Sequence, residues 1–280
     1  KMENGEFKTS VIFVTGAPHS GKSVFTEMLV KSIQKDVKDK TGEVWTVCTC
    51  ASSNPFDEYQ GEEILVMDDL RGMALTASDW LKLLDPDRIN MGSARYKNKR
   101  MACRTIIINS EKDVIDFFYY TKGIGGDGRS EAMDQFIRRI MAKVVVFRVP
   151  DDYETRRLKI GRMEESDAYQ IASPDKVNGE QLTLHHEFNS IGSYDVEYSD
   201  GIKYLSALVM KNNKYDDEET QKVIDTYTDD LNEDLKAELY EDYKAYLDKF
   251  WSEHPNIKDP NNCPTFDWFL EQYKRKMNLI

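Results

Sequence analysis

The sequence of 280 residues predicts an α/β protein with a central, mostly parallel sheet flanked by helices. Three observations predict this class. Short apolar, β-branched runs, typical of buried strands, alternate with segments that carry apolar residues at helical spacing. A glycine-rich loop joins the first of these strands to the first helix. Acidic residues concentrate after residue 150, where mixed and then helical patterns predict a C-terminal extension.

The elements of the sheet are predicted within the first 150 residues. The predicted strands are Val11 to Thr15, Val44 to Cys50, Ile64 to Met67, Thr105 to Ile108 and Val144 to Phe147. The predicted helices are Ser23 to Gln34, Ser78 to Leu84 and Glu131 to Ile140. Strands that alternate with helices along the chain are typical of a parallel sheet.

We divide the chain into three parts. Residues 1–150 form the predicted α/β core, residues 151–215 carry mixed signals, and residues 216–280 are acidic and helical. Pro150 marks the first boundary, and apolar residues at helical spacing from Val223 to Phe250 predict a long amphipathic helix. Because Lys1 stands almost at the first core strand, we expect the sequence to be a piece of a longer protein.

Composition limits the classes of protein to consider. The chain is 40% hydrophobic, enough for a sizeable core, and no stretch approaches the roughly 18 apolar residues of a membrane span. We find no signal peptide, and four scattered cysteines are typical of a reducing compartment, so a cytoplasmic protein is expected. Cys48 and Cys50 would share one face of a strand and are interpreted as packing residues.

Charge is unevenly distributed. Residues 1–150 hold 22 basic and 21 acidic residues, whereas residues 151–280 hold 16 and 29. The segment from Arg88 to Arg104 contains six basic residues and no acid. A basic segment on a nearly neutral half is compatible with nucleic-acid binding despite the overall net charge of −12.

The glycine-rich loop fits the phosphate-binding pattern G-x-x-x-x-G-K-[ST], the P-loop. It consists of Gly16, Ala17, Pro18, His19, Ser20, Gly21, Lys22 and Ser23. The two glycines allow backbone N–H groups to face phosphate oxygens, and the following helix adds partial positive charge. Lys22 would contact the β- and γ-phosphates and Ser23 would bind Mg²⁺, so ATP and Mg²⁺ are the expected cofactors.

A second motif follows about 45 residues later, where the strand Ile64 to Met67 ends in Asp68 and Asp69. This is a Walker B pattern. Asp68 would hold Mg²⁺, and Asp69 would orient or deprotonate the attacking water. Read without the P-loop, the same residues could be a strand that ends at a polar turn.

Two further segments can complete an ATPase site. The strand Ile106 to Ile108 delivers Asn109, whose amide can donate and accept as the polarisation of a water requires. Arg138 and Arg139 end a helix, from which an arginine could reach a neighbouring subunit and stabilise the transferring phosphate. A polar turn and a helix C-terminal cap are the structural alternatives for these two segments.

The basic segment between the Walker B and Asn109 strands has residues suited to single-stranded DNA. Its candidate DNA-binding residues are Arg95, Tyr96, Lys97, Lys99 and Arg100. Cationic side chains would follow a phosphate backbone while the tyrosine stacks on a base. The alternative is a solvated surface hairpin.

With these motifs in order, the chain resembles the superfamily 3 helicase domain of rolling-circle replication initiator (Rep) proteins, found in small circular DNA viruses, bacterial plasmids and related mobile elements. The resemblance covers about residues 10–150. It includes Tyr59-Gln60-Gly61-Glu62 before the Walker B strand and the helix from Trp80 to Asp85 after it. Its specificity lies in the ordered set, since each motif but the first is weak alone.

The resemblance implies an AAA+-like P-loop NTPase that forms a homo-oligomeric, hexameric ring. Such a ring would act on single-stranded and replication-origin DNA in a bacterial cytoplasm, with ATP between subunits and the basic hairpin in the central channel. It also implies that Asp68 carries Mg²⁺, that Asp69 is the base, that Asn109 is the sensor and that Arg139, or else Arg138, is the arginine finger.

The chain departs from the family pattern in three ways. The sensor strand ends Asn109-Ser110-Glu111 where Thr-Ser-Asn is frequent, which leaves the sensor register open. No His-apolar-His nicking motif occurs in the sequence, so nicking is not assigned. Residues 151–280 lie outside the resemblance.

Two other functions stay open at the level of sequence. One is a P-loop kinase with a small acceptor, for which Arg156, Arg157 and Arg162 could form a mobile lid. The other is a nucleotide-gated DNA-binding scaffold, which the hydrolytic base Asp69 argues against.

Overall fold

The computed structural model describes residues 7–50, 56–69, 71–87, 90–92, 99–121, 123, 128–149, 152–175, 180–191 and 196–253. The strands are β1 (Ser10–Thr15), β2 (Val47–Cys50), β3 (Ile64–Met67), β4 (Asn90–Gly92), β5 (Lys99–Met101), β6 (Thr105–Ser110), β7 (Ala142–Val149), β8 (Asp152–Ala172), β9 (Gln181–Ser190) and β10 (Val196–Glu197). The helices are α1 (Lys22–Thr41), α2 (Ala77–Leu83), α3 (Val114–Tyr119), α4 (Arg129–Ile137), α5 (Tyr198–Asn212) and α6 (Glu218–Glu253).

The central sheet has a parallel core with the strand order β2-β3-β6-β1-β7. β6 is therefore inserted between β1 and β3, although it follows both in the sequence. Because carboxyl ends of parallel strands meet at one edge, this order places the segments after β1, β3 and β6 side by side. The predicted α/β class with a mostly parallel sheet and flanking helices is confirmed.

Both faces of the sheet are covered, as continuous apolar strands require. Alternate residues of β1 show this: Ile12 and Val14 pack in one cluster, and Val11 and Phe13 in the other. The first cluster includes apolar residues of α1 and α5, and the second includes Trp80 of α2 together with residues of α3 and α4. α1 and α2 begin close to the residues that helical spacing predicts.

The extension after residue 150 continues the same sheet. β8 pairs antiparallel with β7 and then, farther along, with β9. The boundary predicted at Pro150 thus falls between two paired strands, and the division into domains stays a prediction. Arg156, Arg157 and Arg162 lie on β8, where all three face residues of β7 in the ladder. A strand that is hydrogen-bonded within a sheet does not resemble the mobile lid that a kinase would need.

Of the last two helices, α6 lies in the helical end predicted from sequence, whereas α5 lies in the part of the chain predicted as mixed. α5 packs against α1 on the sheet, with Tyr204, Leu205 and Val209 fully buried. The long amphipathic helix expected from Val223 to Phe250 lies within α6, which packs against α5 and buries Ile224. Among the described residues, no helix is both long and apolar enough to cross a membrane.

Candidate nucleotide-binding site

The candidate site lies at the carboxyl edge of the parallel strands. Register pairs Val14 of β1 with Asn109 of β6, and Met67 of β3 with Ile108. Gly16, Asp68 and Asn109 therefore follow or end three neighbouring strands at one level. The three motifs span about 90 residues of the sequence, and the order of the strands brings them together.

The segment from Gly16 to Ser23 joins β1 directly to α1. A Cβ atom on Gly16 would lie 2.3 Å from the carbonyl oxygen of Val146 and 2.7 Å from Ser20 Oγ, so the loop passes too close to β7 for a side chain. Gly21 has a φ of 103°, a left-handed conformation that favours glycine. Gly16 is thus required because the loop passes close to β7, and Gly21 because its backbone adopts a left-handed conformation.

The start of α1 offers free hydrogen-bond donors. Its N-cap is Gly21, and no side chain caps the helix there. The first N–H groups of a helix have no intrahelical partner and carry partial positive charge, which is suited to an anion. Lys22 Nζ lies over the same loop and donates to the carbonyl oxygens of Gly16 (2.8 Å) and Ala17 (3.1 Å). Loop, helix end and lysine form one cationic surface.

Asn109 connects the Walker B strand to the P-loop helix. Its Nδ2 donates to Asp68 Oδ1 at 2.8 Å, and its Oδ1 accepts a hydrogen bond from Thr26 Oγ1 at 2.8 Å. Asn109 and Thr26 are almost fully buried, with exposed fractions of 2% and 3%. Asn109 thus uses both the donor and the acceptor of its amide group. Ser110 accepts from the N–H of Lys112 instead, so the register that sequence left open places Asn109 at the site.

Sequence reasoning missed Thr26. It lies three positions after Ser23 on α1 and so on the same face of the helix. The signal was present as a polar residue on the apolar face that packs against β6, next to Phe25 and Leu29. Its partner could not be named without the position of β6 beside β1.

Asp69 has a special backbone conformation. Its φ is 52°, in the left-handed region that few residues other than glycine adopt, although aspartate tolerates it better than most. Its side chain is exposed, whereas Asp68 is half-buried against Asn109. The two neighbouring acids therefore have different surroundings, as separate roles for them require.

The residues expected to hold Mg²⁺ fit that ion. Ser23, at the start of α1, and Asp68 supply hard oxygen ligands at the same edge of the sheet. Mg²⁺ in nucleotide sites is typically held by one or two carboxylates, phosphate oxygens and water. In the described part of the chain, no three acidic, histidine or cysteine side chains form a metal cage by themselves.

Arg138 and Arg139 lie at the opposite edge of the sheet from the P-loop. Met141, just after them, donates its N–H to the carbonyl oxygen of Val11, at the beginning of β1. From Val11 to Gly16 the strand covers roughly 16 Å at about 3.3 Å per residue. Within one chain these arginines therefore cannot reach the phosphate site.

The two arginines differ in their surroundings. Arg139 is half-buried, and its Nη1 donates to the carbonyl oxygen (2.6 Å) and Oε1 (3.0 Å) of Gln135. The bond to the carbonyl oxygen caps the end of α4. Burial, and next the neighbouring Arg138, lower the pKa of Arg139. The side chain of Arg138 is exposed. The capping role considered for this pair is what Arg139 performs here.

Two short strands of the basic segment, β4 and β5, pair antiparallel just before β6. Lys99 Nζ donates to the carbonyl oxygen of Asp57, and Arg100 is exposed. Arg95, Tyr96 and Lys97 lie outside the described residues.

Arg104, counted with the basic segment, is a core residue. Its exposed fraction is 8%, its Nη1 donates to Tyr215 Oη at 2.8 Å, and its guanidinium lies over the ring of Trp45. Cys48 and Cys50, interpreted as packing residues, are both buried, as is Cys103, and burial raises the pKa of Cys50 and of Cys103 to about 12.

Comparison with known proteins finds sequence similarity to a helicase family and to a replication protein. Residues 12–111 match the family model described as RNA helicase. A "Replication protein" from Onion yellows phytoplasma (strain OY-M) is 39% identical over 107 residues, which are 38% of this chain and 26% of that protein. This chain thus aligns with about a quarter of its relative's length.

A solved structure was also matched. The Legionella pneumophila ATPase DotB is similar over 73% of this chain and 52% of its own, with 11% identity and a TM-score of 0.32. At this TM-score the match supports no argument about the site.

Proposed function

We propose, from the premise that residues 12–111 are a helicase domain of the replication-initiator type, that this chain hydrolyses ATP to move along single-stranded DNA. The observation that carries the proposal is the bridge from Thr26 through Asn109 to Asp68. It connects the helix that would hold the phosphates to the acid that would hold Mg²⁺. A chain that only bound nucleotide would not need this connection.

In the proposed reaction, the N–H groups from Gly16 to Ser23 and the Lys22 ammonium hold the β- and γ-phosphates. Ser23 and Asp68 would hold Mg²⁺, which neutralises charge on the phosphates when bound. Asp69 takes a proton from the attacking water or orients it, and Asn109 fixes Asp68 by hydrogen bonding and contacts that water. Electrostatic stabilisation by these fixed groups lowers the barrier.

A ring is proposed because Arg138 and Arg139, the candidate finger residues, cannot reach the phosphate site of their own chain. Arg139 or Arg138, some 16 Å away at the other sheet edge of its own chain, would serve the site of a neighbour in a hexamer. The hairpin of β4 and β5 would then face the DNA in the channel, with Lys99 and Arg100 beside Arg95, Tyr96 and Lys97.

The decisive experiment measures ATP hydrolysis with and without single-stranded DNA, together with the mass of the assembly. Lys22→Ala should abolish hydrolysis and leave thermal unfolding unchanged. Lys31→Ala is the matched control, since Lys31 is an exposed lysine of the same helix that pairs with Glu27. Wild-type hydrolysis by Lys22→Ala would refute the site.

Two variants test the finer parts of the proposal. Arg139→Ala should bind nucleotide but not turn it over, and activity should return in mixed assemblies with Lys22→Ala chains. Replacing Lys97 and Lys99 by alanine should reduce the salt slope of single-stranded DNA binding by roughly 1.4, at about 0.7 per lost phosphate contact. The same change at exposed Lys35 and Lys38 is the control. If activity does not return in the mixed assemblies, the ring is contradicted. If the salt slope equals that of wild type, the DNA contact is contradicted.

A further inference from the structure

Two arginines of the β7–β8 ladder lie beside the P-loop of their own chain. Arg148 and Arg156 are directly opposite in the register. Arg148 Nη2 donates to the carbonyl oxygen of His19 at 2.7 Å. A Cβ atom on Gly21 would lie 3.0 Å from both Cδ and Nε of Arg156, so this side chain packs against the loop where α1 begins. The extension beyond residue 150 thereby contributes to the site.

Tyr198, the first residue of α5, lies at the same place. Its hydroxyl oxygen would be 3.2 Å from a Cβ atom on Gly21, and its ring meets that of Phe25 edge-on, with centroids 5.6 Å apart. Burial raises the pKa of Tyr198, against a smaller opposite effect of Arg156. The hydroxyl therefore stays protonated at neutral pH and is available as a donor.

The two side chains have unused donors. Arg156 Nε and the Tyr198 hydroxyl are buried, and neither has a hydrogen-bond partner among the described residues. Leaving a buried donor unpaired is costly, so native structures seldom do it without a ligand or a function. Both donors adjoin an uncapped helix N-terminus. An open pocket of about 340 Å³ beside them is lined by Arg156 and Tyr198 and also by Arg157 and Glu197, which pair with each other. An oxyanion at the helix end would accept hydrogen bonds from both unpaired donors.

We propose that Arg156 and Tyr198 donate hydrogen bonds to a phosphate group of the nucleotide that the P-loop of the same chain binds, and that Arg148 positions the loop through His19. The proposal rests on the proposed function, since it deepens the same site. A guanidinium and a hydroxyl that converge on one loop are typical of phosphate recognition. Arg157, the next residue of β8, is held instead by Glu197 at 3.1 Å and gives a matched control.

The test measures the affinity of a fluorescent ADP analogue. Arg156→Ala should weaken binding about 10-fold or more, Arg156→Lys less, and Tyr198→Phe about 3-fold to 10-fold, because hydrogen bonds to charged groups are worth this much. Arg157→Ala should stay within about twofold of wild type. Without nucleotide, Tyr198→Phe should unfold at the wild-type temperature or above, since it removes an unpaired buried hydroxyl.

The outcomes separate this proposal from the preceding one. Wild-type affinity in Arg156→Ala, with binding lost in Lys22→Ala, overturns the role of Arg156 and leaves the proposed function standing. Wild-type affinity in Lys22→Ala removes the nucleotide site altogether. Weaker binding of single-stranded DNA by Arg156→Ala, with unchanged ADP affinity, would assign the phosphate to DNA and overturn the proposal. The proposal would also be overturned if Tyr198→Phe unfolds at a lower temperature than wild type and binds the ADP analogue with unchanged affinity.

Discussion

Replacing Asn109 by aspartate changes one group at the centre of the site and nothing in its shape. The amide nitrogen that donates to Asp68 at 2.8 Å becomes a carboxylate oxygen, while the oxygen that accepts from Thr26 can stay. Two carboxylates then lie at hydrogen-bond distance. At an effective dielectric constant of 20, their repulsion at this distance is about 6 kcal/mol.

Protonating one of the two acids costs less free energy than this repulsion. For an acid with an ordinary pKa near 3.9, the cost at pH 7 is about 4 kcal/mol. The pair therefore takes up a proton, as neighbouring carboxylates do, and the cost of protonation caps the loss of stability. Because Asp68 is half-buried and partly screened, we expect Asn109→Asp to lose about 2 to 4 kcal/mol at pH 7.

The sign of the pH dependence follows from linkage. The shared proton raises the pKa of the pair in the folded state above its value in the unfolded chain, so the folded state binds more protons between the two values. Stability of Asn109→Asp relative to wild type should fall as the pH rises from about 4 to about 7, and it should approach wild type near the lower value.

Chemical denaturation at pH 5, 6 and 7 measures this difference. Asn109→Ala is the control: it removes both hydrogen bonds but adds no charge, so its stability difference from wild type should be nearly constant with pH. If Asn109→Asp shows an equally flat difference, Asp68 and residue 109 are not in contact and the bridge is refuted.

Three further predictions follow from contacts already described. Thr26→Val removes the hydroxyl that donates to Asn109, so we expect kcat for ATP hydrolysis to fall while nucleotide affinity stays within about threefold of wild type. Gly16→Ala should lower the free energy of unfolding by about 1 to 3 kcal/mol through its overlap with Val146, whereas Gly128→Ala, where a Cβ meets open space, should change it little. With a pKa of about 12, Cys50 should resist thiol reagents at pH 8 until the protein unfolds in denaturant, and fast labelling of native protein would contradict its burial.

The parallel core could be predicted because its central strands β1, β3 and β6 are buried on both faces, and the P-loop, Asp68 and Asn109 stand at or near their carboxyl ends. Val11 to Thr15 and Thr105 to Ile108 are such strands, and both lie where the structure has β1 and β6. Thr26 was missed because its role depends on strand order, which no local pattern encodes. The burial of Arg104, counted with the basic segment, could not be predicted for a similar reason: Tyr215 and Trp45, which contact its guanidinium, are distant in sequence.

β8 was not predicted, and its composition explains why. From Asp152 to Ala172 it is largely polar, since the first half is covered on one side by α5 and the second half extends with β9 beyond the parallel core. Neither half shows a clean alternation. The contribution of Arg156 to the P-loop could not be seen for the same reason, because it depends on β8 returning alongside β7.

The anchoring of Arg104 has a mechanical consequence. This residue lies between the hairpin of β4 and β5 and the start of β6; its backbone N–H bonds to Glu63, and its side chain is fixed in the core. A movement of β5 relative to β6 would therefore have to break the contacts of Arg104. Under the proposed function, a movement of β4 and β5 together with the rest of the sheet would leave these contacts intact.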